Sequence, residues 1–190
     1  MIERLAGAIV ESQIRKNNIS EDSRDLYRYS YLVLISEVVN LIAAMIIGLI
    51  FGDVPAVLLF LLFFIPLRMF SGGLHAGSPE ICACISGLIL CGVCLLNRIT
   101  WSTGVSGILF TAGLMCAFFI WRLSPVETEN KPLDEAEKKR YRMRSHQILA
   151  VEIIILAAAT ALHLGWIARL ISMGHIVLGV SVAGQWMLKR

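Results

Sequence analysis

Val54-Pro-Ala-Val-Leu-Leu-Phe-Leu-Leu-Phe-Phe-Ile-Pro-Leu67 runs for 14 residues without a charged or amide side chain. Such a run belongs in a membrane or a deep core. As a straight helix it would reach about 21 Å, short of the roughly 30 Å hydrocarbon layer. It reads as a short or re-entrant membrane segment. Five longer apolar runs surround it, at residues 26–52, 81–96, 105–121, 148–164 and 170–188, with Gly165 and Trp166 at the last turn. The expected fold is all-α: a polytopic transmembrane bundle of about six segments, forming one integral membrane domain over 1–190.

Composition agrees. The chain is 57% hydrophobic and only 16% charged, too apolar for an ordinary soluble domain. Its five cysteines are an odd number and all lie in or beside apolar runs, so reduced thiols are expected rather than a disulfide framework. Residues 1–18 are charged throughout, unlike a cleaved secretion signal. Within 1–17, Ile2, Leu5, Ala6, Ile9, Val10 and Ile14 share one helical face. Two placements fit that amphipathic helix: in the membrane interface, or against the protein's own surface. Asn17 and Asn18 break it, and Ser20 is placed to cap the next helix. Tyr27, Tyr29 and Tyr31 mark an interfacial belt at the start of the first long run.

Charge sets the expected topology. With six crossings and the N-terminus inside, 15 of the 17 Lys and Arg residues fall on the cytoplasmic side and only Arg98 and Arg169 outside. Residues 1–24 and the basic loop 122–147 are then cytoplasmic. So are both termini and the turn that follows the short segment.

That turn is Arg68-Met-Phe-Ser-Gly72-Gly73-Leu-His75-Ala-Gly-Ser-Pro-Glu-Ile-Cys82. A thiol has a pKa of about 8.5 and needs a base to act as a nucleophile at neutral pH. His75 is seven residues from Cys82 and can serve as that base, then return the proton to a leaving amine. Gly72 and Gly73 let the backbone turn or approach a substrate closely. Ser78 is placed as an N-cap, Pro79 as the first helical residue, and Glu80 near the positive end of the dipole. Cys82 then lies about one turn into the helix. Cys84 projects from nearly the opposite face and is assigned to packing.

Arg68, Gly72-Gly73, His75 and Cys82, in that order, resemble the signature of the accessory gene regulator B (AgrB) family. Ser124-Pro-Val-Glu-Thr-Glu-Asn-Lys131-Pro132-Leu resembles that family's Lys-Pro-containing cytoplasmic loop. Length and hydropathy pattern fit along the whole chain. The resemblance implies an integral membrane cysteine endopeptidase that processes quorum-sensing precursor peptides of the AgrD type, with an amphipathic N-terminus and an acidic tail. It implies tail cleavage through an acyl-enzyme on Cys82, then attack by a thiol or hydroxyl of the substrate to give a cyclic thiolactone or lactone. Lys131, Pro132 and the basic residues after them would meet the acidic tail. Arg68 would bind tail carboxylates or stabilise developing negative charge.

Other residues carry less. Glu37 and Asn40 lie three apart inside an apolar run, where a carboxylate is functional or paired. Glu37 is the candidate to orient His75 or bind Arg68; a structural pair at a helix interface is the alternative. Cys91 and Cys94 form a CxxC inside an apolar helix, where packing explains them. His146, His163 and His175 have no acidic partner near in sequence and read as interfacial or bundle-interior residues. No metal, cofactor or nucleic-acid motif is present. Membrane lipid is an expected partner through the basic loop, and a homodimer is a further expectation. Two non-enzymatic readings stand beside the peptidase: a small peptide exporter, and a membrane adaptor without catalysis. Neither requires the Cys82 thiol.

Overall fold

The computed structural model of the chain describes residues 2–74, 79–127 and 134–188, with the backbone alone at 79 and 80. Among them lie seven α-helices and a short 3₁₀ turn at Glu21–Ser23: α1 (Ile2–Arg15), α2 (Arg24–Ile50), α3 (Val54–Ser71), α4 (Pro79–Arg98), α5 (Thr103–Leu123), α6 (Glu135–Ala161) and α7 (Gly165–Leu188). Six of them, α2 to α7, are long and apolar enough to cross a bilayer. The surface of these helices is apolar: Leu49, Ile50, Leu88, Ile108 and Ile154 are all more than 60% exposed. Such a surface suits lipid and not water. The chain is a multi-pass membrane protein.

The ends of the helices show where hydropathy and backbone chemistry part. α3 does not stop at Leu67 but runs on to Ser71, which gives it 18 residues and about 27 Å. It is still the shortest of the six. Arg68 ends the apolar run, yet arginine is a good helix former. What ends the helix is Gly72, at φ 76°. Pro66 lies within α3 and the helix continues through it. Likewise α6 starts at Glu135, well before its apolar part, because Asp134 and Glu137 form a reciprocal capping box. The second half of the basic loop, from Asp134, is therefore helical, as its charged helix start leads one to expect. At the other end of α6 the turn residue is His163, in the left-handed region at φ 59°, with α7 starting already at Gly165.

α1 packs on α2, with Ala6 and Val10 buried and Leu5 left exposed. Asn17 closes α1 in the left-handed region, φ 55°, and the Asn18 N–H reaches back to the Gln13 carbonyl at 3.0 Å. Ser20 occupies an extended cap position, but its hydroxyl pairs with that of Ser23 (3.0 Å) and caps no backbone N–H.

α7 is the inner helix: half of its apolar stretch is buried, against 11% for α2. It packs closely on α5, where a Cβ at Gly179 would lie 2.6 Å from the Cβ of Cys116. Only glycine permits that approach, the usual device for joining helices in lipid. One core cluster joins α2, α3, α4 and α7 around Phe60, and includes Cys94, which is 0% exposed. A second gathers Leu67, Ile120, Val126, Leu149 and Leu178 at the end of the bundle where α3 turns. At the opposite end Asn97 donates to Asp53 (2.7 Å) and Arg98 to the Phe51 carbonyl. These bonds pin α4 to the α2–α3 loop.

Candidate functional site

The last turn of α3 delivers Arg68 and Ser71 to one end of the bundle, and the chain then reverses through Gly72 and Gly73. Their φ angles, 76° and 137°, are ones that L side chains avoid. Space excludes a side chain as well. A Cβ on Gly72 would overlap the Val126 carbonyl oxygen, and one on Gly73 would lie 2.6 Å from Ser181 Oγ.

Two residues, Arg68 and Ser181, hold the turn in this shape. Arg68 Nη2 donates to the Leu74 carbonyl at 2.8 Å and Nη1 to Ser181 Oγ at 3.4 Å, with the guanidinium 5.8 Å from the Phe64 ring centre. The Leu74 N–H donates to the same Ser181 hydroxyl at 2.9 Å. Leu74 is thus gripped at both polar groups, and the next residue is His75.

The loop after α5 closes on this turn. Its Ser124–Pro125 bond is cis, and the Val126 N–H donates to the Ser71 carbonyl at 3.0 Å, pairing Val126 with Gly72 as an isolated parallel bridge. Beneath the bridge three buried hydroxyls form a chain: Ser71 to Ser145 at 2.8 Å and Ser145 to Ser124 at 3.1 Å. Lys138 on α6 bonds Glu127 and Glu135, both at 2.8 Å, and Gln185 on α7 reaches the Glu127 carbonyl at 3.5 Å. The motif at 68–73 and the loop starting at Ser124, more than 50 residues apart in sequence, are one joint built by α3, α5, α6 and α7.

His75, Lys131 and Pro132 lie outside the described residues, as does Ser78 with its expected capping role. The chain alone ties the first three to the joint: His75 follows Leu74, and Lys131 falls between Glu127 and Asp134. α4 begins at Pro79 as expected, which puts Cys82 near its first turn. Cys82 is half-buried, whereas Cys84 is exposed on the outer surface of α4, so the packing role expected of Cys84 is not what the structure shows.

Two expectations change. Glu37 is exposed on α2, and among the described residues the polar partners of Arg68 are Leu74 and Ser181, not a carboxylate. A guanidinium spent on a backbone carbonyl and a hydroxyl is positioned to hold the turn. Within the basic run, Lys138 is already neutralised by two glutamates of its own chain.

The intramembrane pair sits elsewhere. Glu152 Oε2 and His175 Nε2 are 2.9 Å apart, with side chains only 4% and 1% exposed, joining α6 to α7. The signal that singled out Glu37, a carboxylate inside an apolar run, was present at Glu152 too. Its partner is 23 residues away and no spacing rule links them. Ser145 carried no signal, and nothing in the sequence tied Ser181 to the turn after α3. His146 stacks on Trp121 (5.5 Å between rings) and its Nε2 meets the Trp121 carbonyl at 2.9 Å, an interhelical packing role.

A family model described as accessory gene regulator B matches residues 2–186. A protein described as AgrB-like from Clostridium perfringens (strain SM101 / Type A) is 30% identical over 189 residues, covering 95% of this chain and 88% of the relative. A second AgrB-like protein, from Clostridium perfringens (strain 13 / Type A), is 28% identical over 192 residues with the same coverage. No solved structure matches the chain.

Proposed function

Because the chain belongs to the accessory gene regulator B family, we propose that it is a membrane cysteine endopeptidase that trims and cyclises a quorum-sensing precursor peptide. Membership supports a role in accessory gene regulator peptide processing and implies an AgrD-type substrate. The chemistry is the finer part of the proposal.

The Cys82 thiol loses its proton to His75, and the sulfur attacks the peptide carbonyl at the boundary of the acidic tail. The C–N bond breaks as the new C–S bond forms, and His75 returns the proton to the departing amine. The core peptide is left as a thioester on Cys82. A thiol or hydroxyl within that peptide attacks the same carbonyl, releasing Cys82 and closing the ring. One acyl bond is exchanged for another, so no nucleotide is consumed. Water must be kept from the thioester, which a site against the lipid favours. Arg68 acts as a positioning residue for the turn that carries His75. Lys131 and Pro132 lie in the loop that meets the tail, and the site faces the cytoplasm.

One observation chiefly supports this reading: the Gly72–Gly73 turn and the Ser124–Glu127 loop are bonded to each other. The segments that lead in sequence to the candidate base and to the candidate tail-binding residues therefore meet at one joint. The test is coexpression with a precursor tagged on its C-terminal tail. Cys82→Ala should abolish tail release with the protein still in the membrane, while Cys84→Ala should retain most of it. Release that persists without Cys82 would overturn the nucleophile and leave the exporter or adaptor readings.

A further inference from the structure

A groove of about 500 Å³ opens between α3 and α6, near the end of the bundle that carries the joint. Leu62, Phe63 and Pro66 form one wall and Ile148, Val151 and Ile155 the other. Arg144 and Gln147 stand at its mouth beside Phe70. Glu152 borders it too, with its carboxylate bonded to His175. Along α6 the stripe reads Arg140, Arg144, Gln147, Val151, Ile155, a spacing that keeps all five on one face. Charge comes first, then a neutral polar group, then hydrocarbon. Arg140 and Arg144 have no ion-pair partner among the described residues, whereas Lys138 is paired twice.

From this order of chemistry we infer that the α3–α6 groove binds an anionic phospholipid, its phosphate on Arg144 and Arg140 and one acyl chain between the helices. From Arg144 to Ile155 the groove spans about 17 Å along α6, about the depth of one leaflet of the roughly 30 Å hydrocarbon layer, which suits one acyl chain below its headgroup. An extended peptide would fit, but would bring unpaired backbone N–H and C=O groups against apolar walls. A phosphate at the mouth gains bidentate, charge-assisted hydrogen bonds from a guanidinium that otherwise faces solvent. The lipid would grip the residues beside the joint. Phe70 precedes Ser71, Arg144 precedes Ser145, and those two serines are bonded at 2.8 Å. Lipid binding and the geometry of the Gly72–Gly73 turn are then coupled.

The test uses the full chain in nanodiscs of phosphatidylcholine with or without phosphatidylglycerol. Lipid retained through detergent extraction is read by native mass spectrometry, with the thermal midpoint beside it. Phosphatidylglycerol should be retained selectively and should raise the midpoint. Arg144→Gln should weaken selective retention roughly tenfold or more, the loss of a charged hydrogen bond to phosphate. Arg142→Gln removes the same charge from nearly the opposite face of α6 and should change little. Val151→Trp, at an exposed position on the groove wall, should block the chain and abolish retention without unfolding the protein. Equal losses in Arg144→Gln and Arg142→Gln would mean diffuse surface charge and overturn the site. So would full retention in Val151→Trp, and a Val151→Trp protein that loses precursor capture alone would assign the groove to peptide. None of these readouts depends on catalysis, so the site can fail without touching the peptidase proposal.

Discussion

Gly72→Ala should separate the joint without dismantling the bundle. At φ 76° and ψ −154° Gly72 occupies a region almost closed to L residues, which costs about 1–3 kcal/mol for alanine. The added methyl would also overlap the Val126 carbonyl, so the Val126 N–H···O bond to Ser71 must stretch or break. That bond contributes about 0.5–1.5 kcal/mol. Together they make about 1.5–4.5 kcal/mol, or a factor of roughly 10 to 2,000 in the closed-to-open ratio of the joint. The far end of the bundle shares none of these contacts and should hold. The assay is hydrogen exchange by mass spectrometry on protein in nanodiscs, with precursor processing in cells as the functional readout. Peptides covering 124–127 should exchange faster in Gly72→Ala, those covering 90–98 should not, and processing should fall with the closed fraction. Gly92→Ala is the control: nothing lies within 4 Å of its Cβ, so alanine should be neutral or stabilise α4 by up to about 1 kcal/mol. Wild-type exchange at 124–127 together with full processing in Gly72→Ala would refute the claim that the two motifs act through this contact.

Arg68→Lys keeps the charge but cannot fork between the Leu74 carbonyl and Ser181, so processing should drop and the Leu74 amide should exchange faster; unchanged exchange would sink the clamp. Glu152→Ala leaves His175 buried with neither ring nitrogen paired and should destabilise by about 3 kcal/mol in a thermal melt, whereas replacing both partners with leucine should come close to wild type. Thr128→Cys should resist membrane-impermeant thiol reagents in intact cells and react after lysis; labelling of intact cells would reverse the proposed orientation. Deleting residues 1–16 should lower processing while leaving the protein in the membrane, and full activity would show α1 to be dispensable.

Much of the fold was legible because hydropathy alone identifies a membrane span. The six apolar runs each became one helix. The errors sit at helix ends, where the backbone decides. Arg68 closed the apolar run, so α3 read as 14 residues; a helix tolerates arginine and ends only where Gly72 turns, giving it 18. The central place of α7 was not legible either. In lipid every span is apolar, so hydropathy does not say which one is inside. The readable signal was different: Ser172, Gly174, Gly179 and Ser181 make α7 rich in small residues, the mark of a helix that others approach closely.

The candidate site was half legible for a related reason. Arg68, Gly72, Gly73 and the loop at Ser124 could be read one motif at a time, because glycine pairs and charges in apolar surroundings are rare. Their contact could not, since Ser71, Ser124 and Ser145 are ordinary residues on three separate helices or their flanks. Serine suits the place for a physical reason. α3, α5 and α6 converge where a larger side chain would hold them apart, yet the carbonyls and helix ends there leave polar groups that water does not reach. A hydroxyl is small, and it both donates and accepts. Ser145 stands between the other two, at 2.8 and 3.1 Å, so one residue on α6 satisfies the end of α3 and the end of α5 together. An alanine there would strand two buried hydroxyls rather than one. The register between the two motifs thus depends on a residue that belongs to neither, and that dependence exists only in three dimensions.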